Sequence, residues 1–186
     1  MKKIERRTYQ VAEIRAKAES RTVEGYAALF DSRSQNLGGF TEIIEEGAFD
    51  DVLEDDVRAL LNHDANYVLA RTKSGTLELS VDEKGLLYRF EAPNTTAGND
   101  LLESIRRGDI SQSSFGFSIK DDDWDYDTMT RTIKKVKRLY DVSPVTYPAY
   151  EQTEVTARSL EAAQKKDTPK TLNLYKSKLK ILQLAG

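Results

Sequence analysis

Apolar residues in the first ninety positions occur in short runs, which polar and glycine-containing segments separate. Runs of this length bounded by turn residues are typical of β-strands. Their spacing favours an antiparallel sheet or a barrel. The pattern predicts strands over residues 7–14, 23–30, 40–44, 57–61, 67–71, 76–81 and 86–91, and one or two helical turns over 47–54.

The pattern changes to a helical period near residue 100. Asn99-Asp100 can cap the start of a helix, and Gly108 is placed to end it. The apolar face of this predicted helix consists of Leu101, Leu102 and Ile105. A single helix is therefore expected between the early strands and those that follow.

A second set of strands is predicted after this helix. Residues 110–120, ISQSSFGFSIK, form a strand pattern, and the polar segment DDDWDYDTM behind it is typical of a hairpin tip or a longer loop. Residues 130–140 predict the returning strand, which 142–147 continue. The apolar positions of the first of these strands are Ile110, Phe115, Phe117 and Ile119.

The composition shifts after Ala157, where EAAQKKDTPK predicts a linker broken by Pro169. Apolar residues then recur at helical spacing and predict an amphipathic helix. These residues are Leu172, Tyr175, Leu179 and Leu182. We expect one folded domain over 1–158, a linker over 159–170 and a helical tail over 171–186.

The 186 residues include no cysteine and a single histidine, His63. This composition excludes a cysteine nucleophile, a disulfide framework and a zinc site built from thiolates or several histidines. A general base at neutral pH must then be His63 or a group with a strongly shifted pKa. No cofactor or metal is expected.

Charge and hydropathy argue against two further classes of partner. The net charge is −3 and no basic stripe stands out, so nucleic-acid binding is not expected. No run of 18 apolar residues occurs, and no apolar stretch follows the basic N-terminus, so neither a membrane span nor a secretory signal is expected. The acidic residues 121–127 do not fit a calcium loop, because Thr128 and Lys134 stand where Gly and Glu are required.

A serine hydrolase needs an exposed hydroxyl, a neutral imidazole to take its proton, and an acceptor that orients the imidazole. Backbone N–H groups must also face the oxyanion. Only His63 can supply the imidazole, and it follows the apolar run VRALLN at the end of a predicted strand. The alternative for His63 taken alone is a surface histidine in the turn NHD.

The nucleophile must come from the serine-rich segment that follows the predicted helix. Ser114 directly precedes Phe115-Gly116-Phe117. If the two phenylalanines face the core, Ser114 faces the opposite side, toward a cleft. Gly116 would allow another part of the backbone to approach closely. The alternative is a serine-rich turn without chemistry. The candidates are Ser111, Ser113, Ser114 and Ser118.

The third member must be acidic, because no second histidine exists. Asp141 is the best placed, since it lies between Tyr140 and Val142 on an otherwise apolar strand, where a buried carboxylate would need a partner. Glu151 and Glu154 are the reserves. The alternative for Asp141 is a strand-end cap or a surface salt bridge.

Several segments occur together and in order over residues 5–158. They are RTVEGYAALF, EEGAFDDVL, VRALLNHD, LARTKSGTLEL, RRGDISQSSFGF and LYDVSPVTYPAY. In this series the chain resembles the prohead maturation proteases of tailed bacteriophages, which are related to the herpesvirus assemblin fold. The resemblance implies a mainly β domain with flanking helices, a closed or nearly closed antiparallel β-barrel of the assemblin type, with the predicted helical tail attached.

The resemblance also implies roles for individual residues. His63 matches the catalytic histidine of the family and Ser114 its catalytic serine. An acidic third member is implied by the phage branch and is carried to Asp141. Gln112-Ser113 stands where the family often has Gly-Met, so Ser113 remains a second candidate for the nucleophile.

By this resemblance the chain is expected to be a serine endopeptidase that works through an acyl-enzyme. Its expected partners are the major capsid protein with its scaffolding segment, and further copies of itself. Its expected place is the host cytoplasm, inside the prohead during assembly. Residues 161–170 are polar and are the expected site of self-cleavage. The alternative is an inactive capsid-assembly or scaffolding module with the same fold.

Overall fold

The computed structural model describes residues 4–8, 14–16, 20–34, 36–37 and 39–147. The reserve acids Glu151 and Glu154, the predicted linker and the predicted tail lie outside the described residues. The described elements, in chain order, are β1 (Glu5–Thr8), β2 (Ile14–Ala16), β3 (Thr22–Leu29), β4 (Thr41–Ile44), β5 (Arg58–Leu61), β6 (Asp64–Arg71), β7 (Leu77–Val81), β8 (Gly85–Glu91), α1 (Thr96–Arg107), β9 (Gln112–Asp125) and β10 (Thr130–Val145).

The described strands form two sheets, so the expectation of a mainly β fold is confirmed. One sheet has six strands in the order β1-β9-β10-β5-β6, with β4 also paired to β10. The other has four strands in the order β2-β3-β8-β7. The long pair β9 and β10 forms the centre of the larger sheet and carries two of the three predicted site residues.

The predicted closed or nearly closed antiparallel barrel is not found among the described residues. The path of the larger sheet ends at β1 and β6, and that of the smaller sheet at β2 and β7, so neither sheet closes on itself. The sheet is also not purely antiparallel, because β4 and β5 both pair in parallel with β10. The long β10 makes this geometry available, since it offers separate stretches of the same edge to two short strands.

Two helix predictions change in detail. The helix α1 begins at Thr96, earlier than the predicted start, and the side chain of Thr95 caps it by accepting from the Gly98 N–H at 3.2 Å. Gly108 ends it with φ of 82°, as predicted. Residues 47–54 form successive turns rather than a helix, and α1 is the one α-helix in the described part of the chain.

The core lies against the inner face of the larger sheet. Phe115 and Phe117 of β9 are fully buried and stack with their ring centroids 4.7 Å apart. Phe49 packs edge-on against Phe115 at 5.7 Å. Leu139 and Val142 of β10 are fully buried in the same cluster. Each large side chain of this kind contributes about 1.5–3 kcal/mol by leaving water, so β9 is anchored by its phenylalanines as predicted.

A buried cluster of opposite charges joins β1, β4 and β10. Arg7 Nε donates to Glu42 Oε1 at 2.8 Å, and Arg7 Nη2 lies 2.5 Å from Glu5 Oε2. Arg131 on β10 donates to the same Glu5 oxygen at 3.1 Å and to Asp122 at 2.8 Å. Mutual pairing is what makes charges tolerable in an interior. The cluster therefore fixes the short strand β1 against the sheet.

A half-buried ion pair closes the base of the β5–β6 hairpin. Arg71 donates from Nε and Nη2 to the two oxygens of Asp56, both at 2.6 Å. Arg58, which faces Arg71 across the hairpin, donates to the same carboxylate at 3.2 Å. The hydrogen bond from Arg71 is the main reason that the pKa of Asp56 falls from its ordinary 3.8 to about 2.

The lowered pKa of Asp56 predicts a specific acid sensitivity. A carboxylate with a depressed pKa stabilises the fold above the pKa of the unfolded chain, and that stability is lost as pH falls through the folded value. For Asp56 this window runs from about pH 4 to about pH 2. Asp56→Asn should therefore flatten the fall in the free energy of unfolding across this window, as measured by urea unfolding. An unchanged slope in the variant would contradict the assignment.

Candidate active site

His63 occupies a two-residue turn at the tip of the β5–β6 hairpin. Leu61 pairs with Asp64 across the turn, and the two residues between them, Asn62 and His63, have φ of 55° and 58°. Tight hairpins favour positive φ at both central positions, and Asn and His enter this region more readily than most residues. The turn NHD is therefore real, but the histidine side chain is only 11% exposed, so it is not a surface histidine.

The imidazole of His63 bridges Ser114 and Asp141. Its Nε2 lies 2.6 Å from Ser114 Oγ, and its Nδ1 contacts Asp141 Oδ1. Ser114 is fully buried and Asp141 is 5% exposed. The three residues therefore form one continuous hydrogen-bonded chain, with a different ring nitrogen facing each partner.

Strand pairing explains why these residues meet. In the antiparallel pair of β9 and β10, Ser114 lies opposite Ser143, and Gly116 lies opposite Asp141. On its other side β10 pairs with β5, where Asp141 faces Arg58. The hairpin that continues from β5 thus ends beside the stretch of β10 that carries the carboxylate.

Ser113 and Ser114 point to opposite faces, as alternation along a strand requires. Ser113 Oγ shares a hydrogen bond of 2.7 Å with Tyr88 Oη inside the core. Burial raises the pKa of Tyr88 above its ordinary value, so this phenol stays neutral and can donate. Of this pair, it is Ser114 that contacts His63.

The other two serine candidates lie elsewhere. Ser111 is exposed before β9 begins. Ser118 is buried, and Tyr140 Oη approaches its hydroxyl at 3.5 Å. Ser114 lies on the face of β9 opposite the core phenylalanines, as predicted, and contacts His63 there. It is nevertheless fully buried, so the expected exposure of its hydroxyl is not found.

The hydroxyl of Ser114 has two acceptors within reach. Its Oγ also donates to the backbone carbonyl of Arg7 at 2.9 Å. A serine hydroxyl carries one proton, so it can donate to His63 Nε2 or to this carbonyl, but not fully to both. The Asp141 carboxylate accepts from Nδ1–H, and this tautomer leaves Nε2 free to accept the serine proton.

Two further residues complete the surroundings of Asp141. Ser143 is fully buried and donates its hydroxyl to Asp141 Oδ1 at 2.8 Å. A side chain at Gly116 would overlap Asp141 Oδ2. Gly116 thus makes room for a carboxylate rather than for backbone, which corrects the sequence-based expectation. Ser143 was missed, although a residue two positions from Asp141 on a strand shares its face.

The acidic stretch 121–127 lies mostly on β9, which runs to Asp125 and pairs with β10, so the predicted hairpin tip is confined to residues 126–129. Asp125 Oδ1 accepts from the backbone N–H groups of Asp127 and Thr128 at 2.9 and 3.2 Å, which is a turn stabilised by its own side chain. Across the described ranges, no cluster of three or more potential metal-ligating side chains occurs. None of the helices described is long and apolar enough to cross a bilayer.

A family profile described as caudovirus prohead serine protease matches residues 7–166. The chain belongs to this family.

One relative agrees with the membership in the prohead protease family, and one solved structure agrees with the fold. The prohead protease of Enterobacteria phage HK97 is 31% identical over 137 residues, which are 72% of this chain and 58% of that protein. The chain thus spans little more than half the length of this relative. The structure of the bacteriophage T4 capsid assembly protease superposes with a TM-score of 0.50 over 77% of this chain and 97% of that one. At 15% identity this second likeness shows the fold alone.

The overlap at Gly116 predicts the effect of adding one methyl group. Gly116→Ala should push the carboxylate of Asp141 away from His63 and destabilise the fold by about 1–3 kcal/mol. A hydrogen-bonded imidazole N–H gives a low-field proton resonance, and the single histidine makes its assignment unambiguous. That resonance should disappear in Gly116→Ala and persist in the control Ser118→Ala. Its persistence in both variants would show that Asp141 does not need the glycine.

Proposed function

We propose that this member of the prohead protease family is a serine endopeptidase that uses Ser114, His63 and Asp141. The observation that carries the proposal is the unbroken chain of contacts from Ser114 Oγ through both nitrogens of His63 to Asp141. Burial of a carboxylate beside a mostly buried imidazole costs free energy that their mutual contact only partly offsets, so stability alone does not explain the pair. Orientation of a general base is a purpose that explains both positions.

The proposed reaction proceeds in two halves. Ser114 Oγ attacks the peptide carbonyl carbon while His63 Nε2 takes the hydroxyl proton. The same proton then goes to the departing amine as the C–N bond breaks, which leaves an acyl-enzyme. A water molecule then attacks the acyl carbon while His63 Nε2 takes its proton. That proton returns to Ser114 Oγ as the carboxylic acid product leaves. Asp141 holds Nδ1–H throughout and stabilises the imidazolium that forms at each step.

Access to Ser114 is a requirement of this proposal. Because the residue is fully buried, a peptide can reach its hydroxyl only after a neighbouring segment moves. A peptide must also draw the serine proton toward His63 rather than toward the Arg7 carbonyl. Both conditions suit a protease that is made beside its substrate and must not act before assembly.

The proposed substrates are the scaffolding segment of the major capsid protein and the protease itself. Cleavage would take place in the host cytoplasm, inside the prohead. In this proposal residues 1–158 form the protease domain, 159–170 the linker and 171–186 the helical tail. Self-cleavage falls within 161–170, a polar segment that contains Pro169.

The second candidate function is an inactive capsid-assembly module. The burial of Ser114 is the observation in its favour. The intact contacts of His63 with Ser114 and Asp141 oppose it, since an inactive module gains nothing from aligning a base with a hydroxyl. The two functions differ in one measurable outcome, cleavage of the coexpressed capsid precursor.

Separate substitutions of the adjacent Ser113 and Ser114 test which of the two is the nucleophile. Ser114→Ala should abolish cleavage of the coexpressed capsid precursor and self-cleavage, both followed by mass spectrometry. Ser113→Ala should retain activity, with stability lowered by about 1–3 kcal/mol because Tyr88 loses a buried hydrogen-bond partner. If the unaltered chain and both variants all leave the precursor and themselves intact, the enzyme proposal fails.

The roles of the other two members predict graded losses. His63→Ala should reduce kcat to the level of Ser114→Ala, because the two residues act as a unit. Asp141→Asn should reduce kcat by about 10³–10⁴-fold, since the amide favours the wrong imidazole tautomer. Undiminished kcat in His63→Ala, measured on a purified peptide substrate, would remove the mechanism.

The tail has a separate proposed role in packaging the enzyme. Its apolar residues, spaced as on one face of a helix, would bind the scaffold during assembly. Deletion of residues 171–186 should abolish incorporation into proheads while peptide cleavage continues. Incorporation is measured by quantifying the protein in purified proheads, and a normal amount without the tail would refute this role.

A further inference from the structure

Asn62 joins the hairpin tip that carries His63 to the strand that carries Asp141. Its backbone N–H donates to the Pro144 carbonyl at 3.0 Å. Its side-chain Oδ1 accepts from the backbone N–H and from the hydroxyl of Thr146, each at 2.9 Å. These bonds reach across 84 positions of sequence between Asn62 and Thr146, so the tip of one element is fastened to the end of another.

We infer that Asn62 is a positioning residue for His63, and this inference rests on the proposed function. A turn of two residues gives the His63 backbone little freedom once its neighbour is fixed. That neighbour is Asn62, and its bonds to Pro144 and Thr146 fix it beside β10 just beyond Asp141. The distance from the imidazole to its carboxylate is therefore set by bonds that touch neither group.

The residue type suits this role in two independent ways. Asn62 has φ of 55°, a left-handed conformation that asparagine tolerates better than most residues. Its amide oxygen offers two lone pairs, and both donors of Thr146 use it. Glycine would keep the conformation and the backbone bond to Pro144, but it would remove the two side-chain bonds to Thr146. Aspartate would keep the conformation and all three bonds.

Asn66 provides a matched control in the same hairpin. It is also an exposed asparagine, but its side chain and its backbone N–H both bond to Asp64 Oδ1 at 2.8 Å, within the hairpin itself. These contacts stay within the hairpin, and among the described residues none joins Asn66 to β10. Loss of its side chain should leave the imidazole in place.

The test compares Asn62→Gly, Asn62→Asp and Asn66→Gly in the full chain. Asn62→Gly should lower kcat on a peptide substrate by about 10²-fold, with KM changed much less, because misplacement of a base by about 1 Å has this effect. Asn62→Asp should recover most of the loss. Asn66→Gly should match the unaltered protein. Unfolding curves for each variant establish that the comparison is made between folded chains.

A second readout does not depend on cleavage. The low-field resonance of His63 Nδ1–H should be lost in Asn62→Gly, retained in Asn66→Gly and restored in Asn62→Asp. If the unaltered protein cleaves no peptide, the proposed function fails, and this resonance still decides the role of Asn62. Identical resonances and identical kcat in Asn62→Gly and Asn66→Gly would overturn the inference, as would loss of the resonance without any change in kcat in an active enzyme.

Discussion

The antiparallel pairing of β9 with β10 is the interaction on which the candidate site depends. Its register sets Ser114 opposite Ser143 and Gly116 opposite Asp141. Because side chains alternate along a strand, a shift of one residue would turn Ser114 into the core and a phenylalanine toward the imidazole. The burial of Phe115 therefore does more than stabilise the sheet. It selects the register that brings the hydroxyl and the carboxylate to one face.

His63 lies outside this pair of strands, and it is held in place by different contacts. His63 stands on a turn with left-handed backbone, a conformation that costs about 1–3 kcal/mol per residue. The hairpin is held at its base by Asp56 and at its tip by Asn62. Asn62 is exposed and the Asp56 ion pair is only half-buried, and ion pairs or hydrogen bonds in contact with water contribute little to overall stability. Their importance is geometric, because together they limit how far the tip can move from β10.

Sequence patterns anticipated the features that depend on neighbours along the chain. The alternation around Phe115 and Phe117 predicted which face Ser114 would occupy. The polar segment 121–129 predicted the turn between β9 and β10, although β9 continues through Asp125 and leaves only 126–129 for the tip. Alternation along the strand also distinguishes Ser113 from Ser114, because two adjacent side chains point to opposite faces and only one of them can face the imidazole. The contacts that join His63 to Ser114 and Asp141 agree with the expected constellation, while the catalytic roles remain predictions.

The features that sequence could not give are all set by long-range pairing. Barrel closure depends on which strand edges pair, and the hydrophobic pattern of a strand does not predict which other strand it pairs with. The parallel pairing of β4 and β5 with β10 shows this limit. The partner of Gly116 was missed for the same reason, since the facing residue lies on another strand.

Around Ser114, the alignment of the side chains and access to the serine hydroxyl are two separate matters. One acceptor of its proton is His63, and the other is the carbonyl of Arg7, whose strand is held by the buried pair of Arg7 with Glu42. Both acceptors are in place in the chain by itself, so the proposed base and the hydroxyl meet without a bound peptide. In this structure Ser114 is fully buried, so no open path leads to its hydroxyl. In the proposed protease, control would therefore act on access to the serine rather than on the alignment of the three side chains.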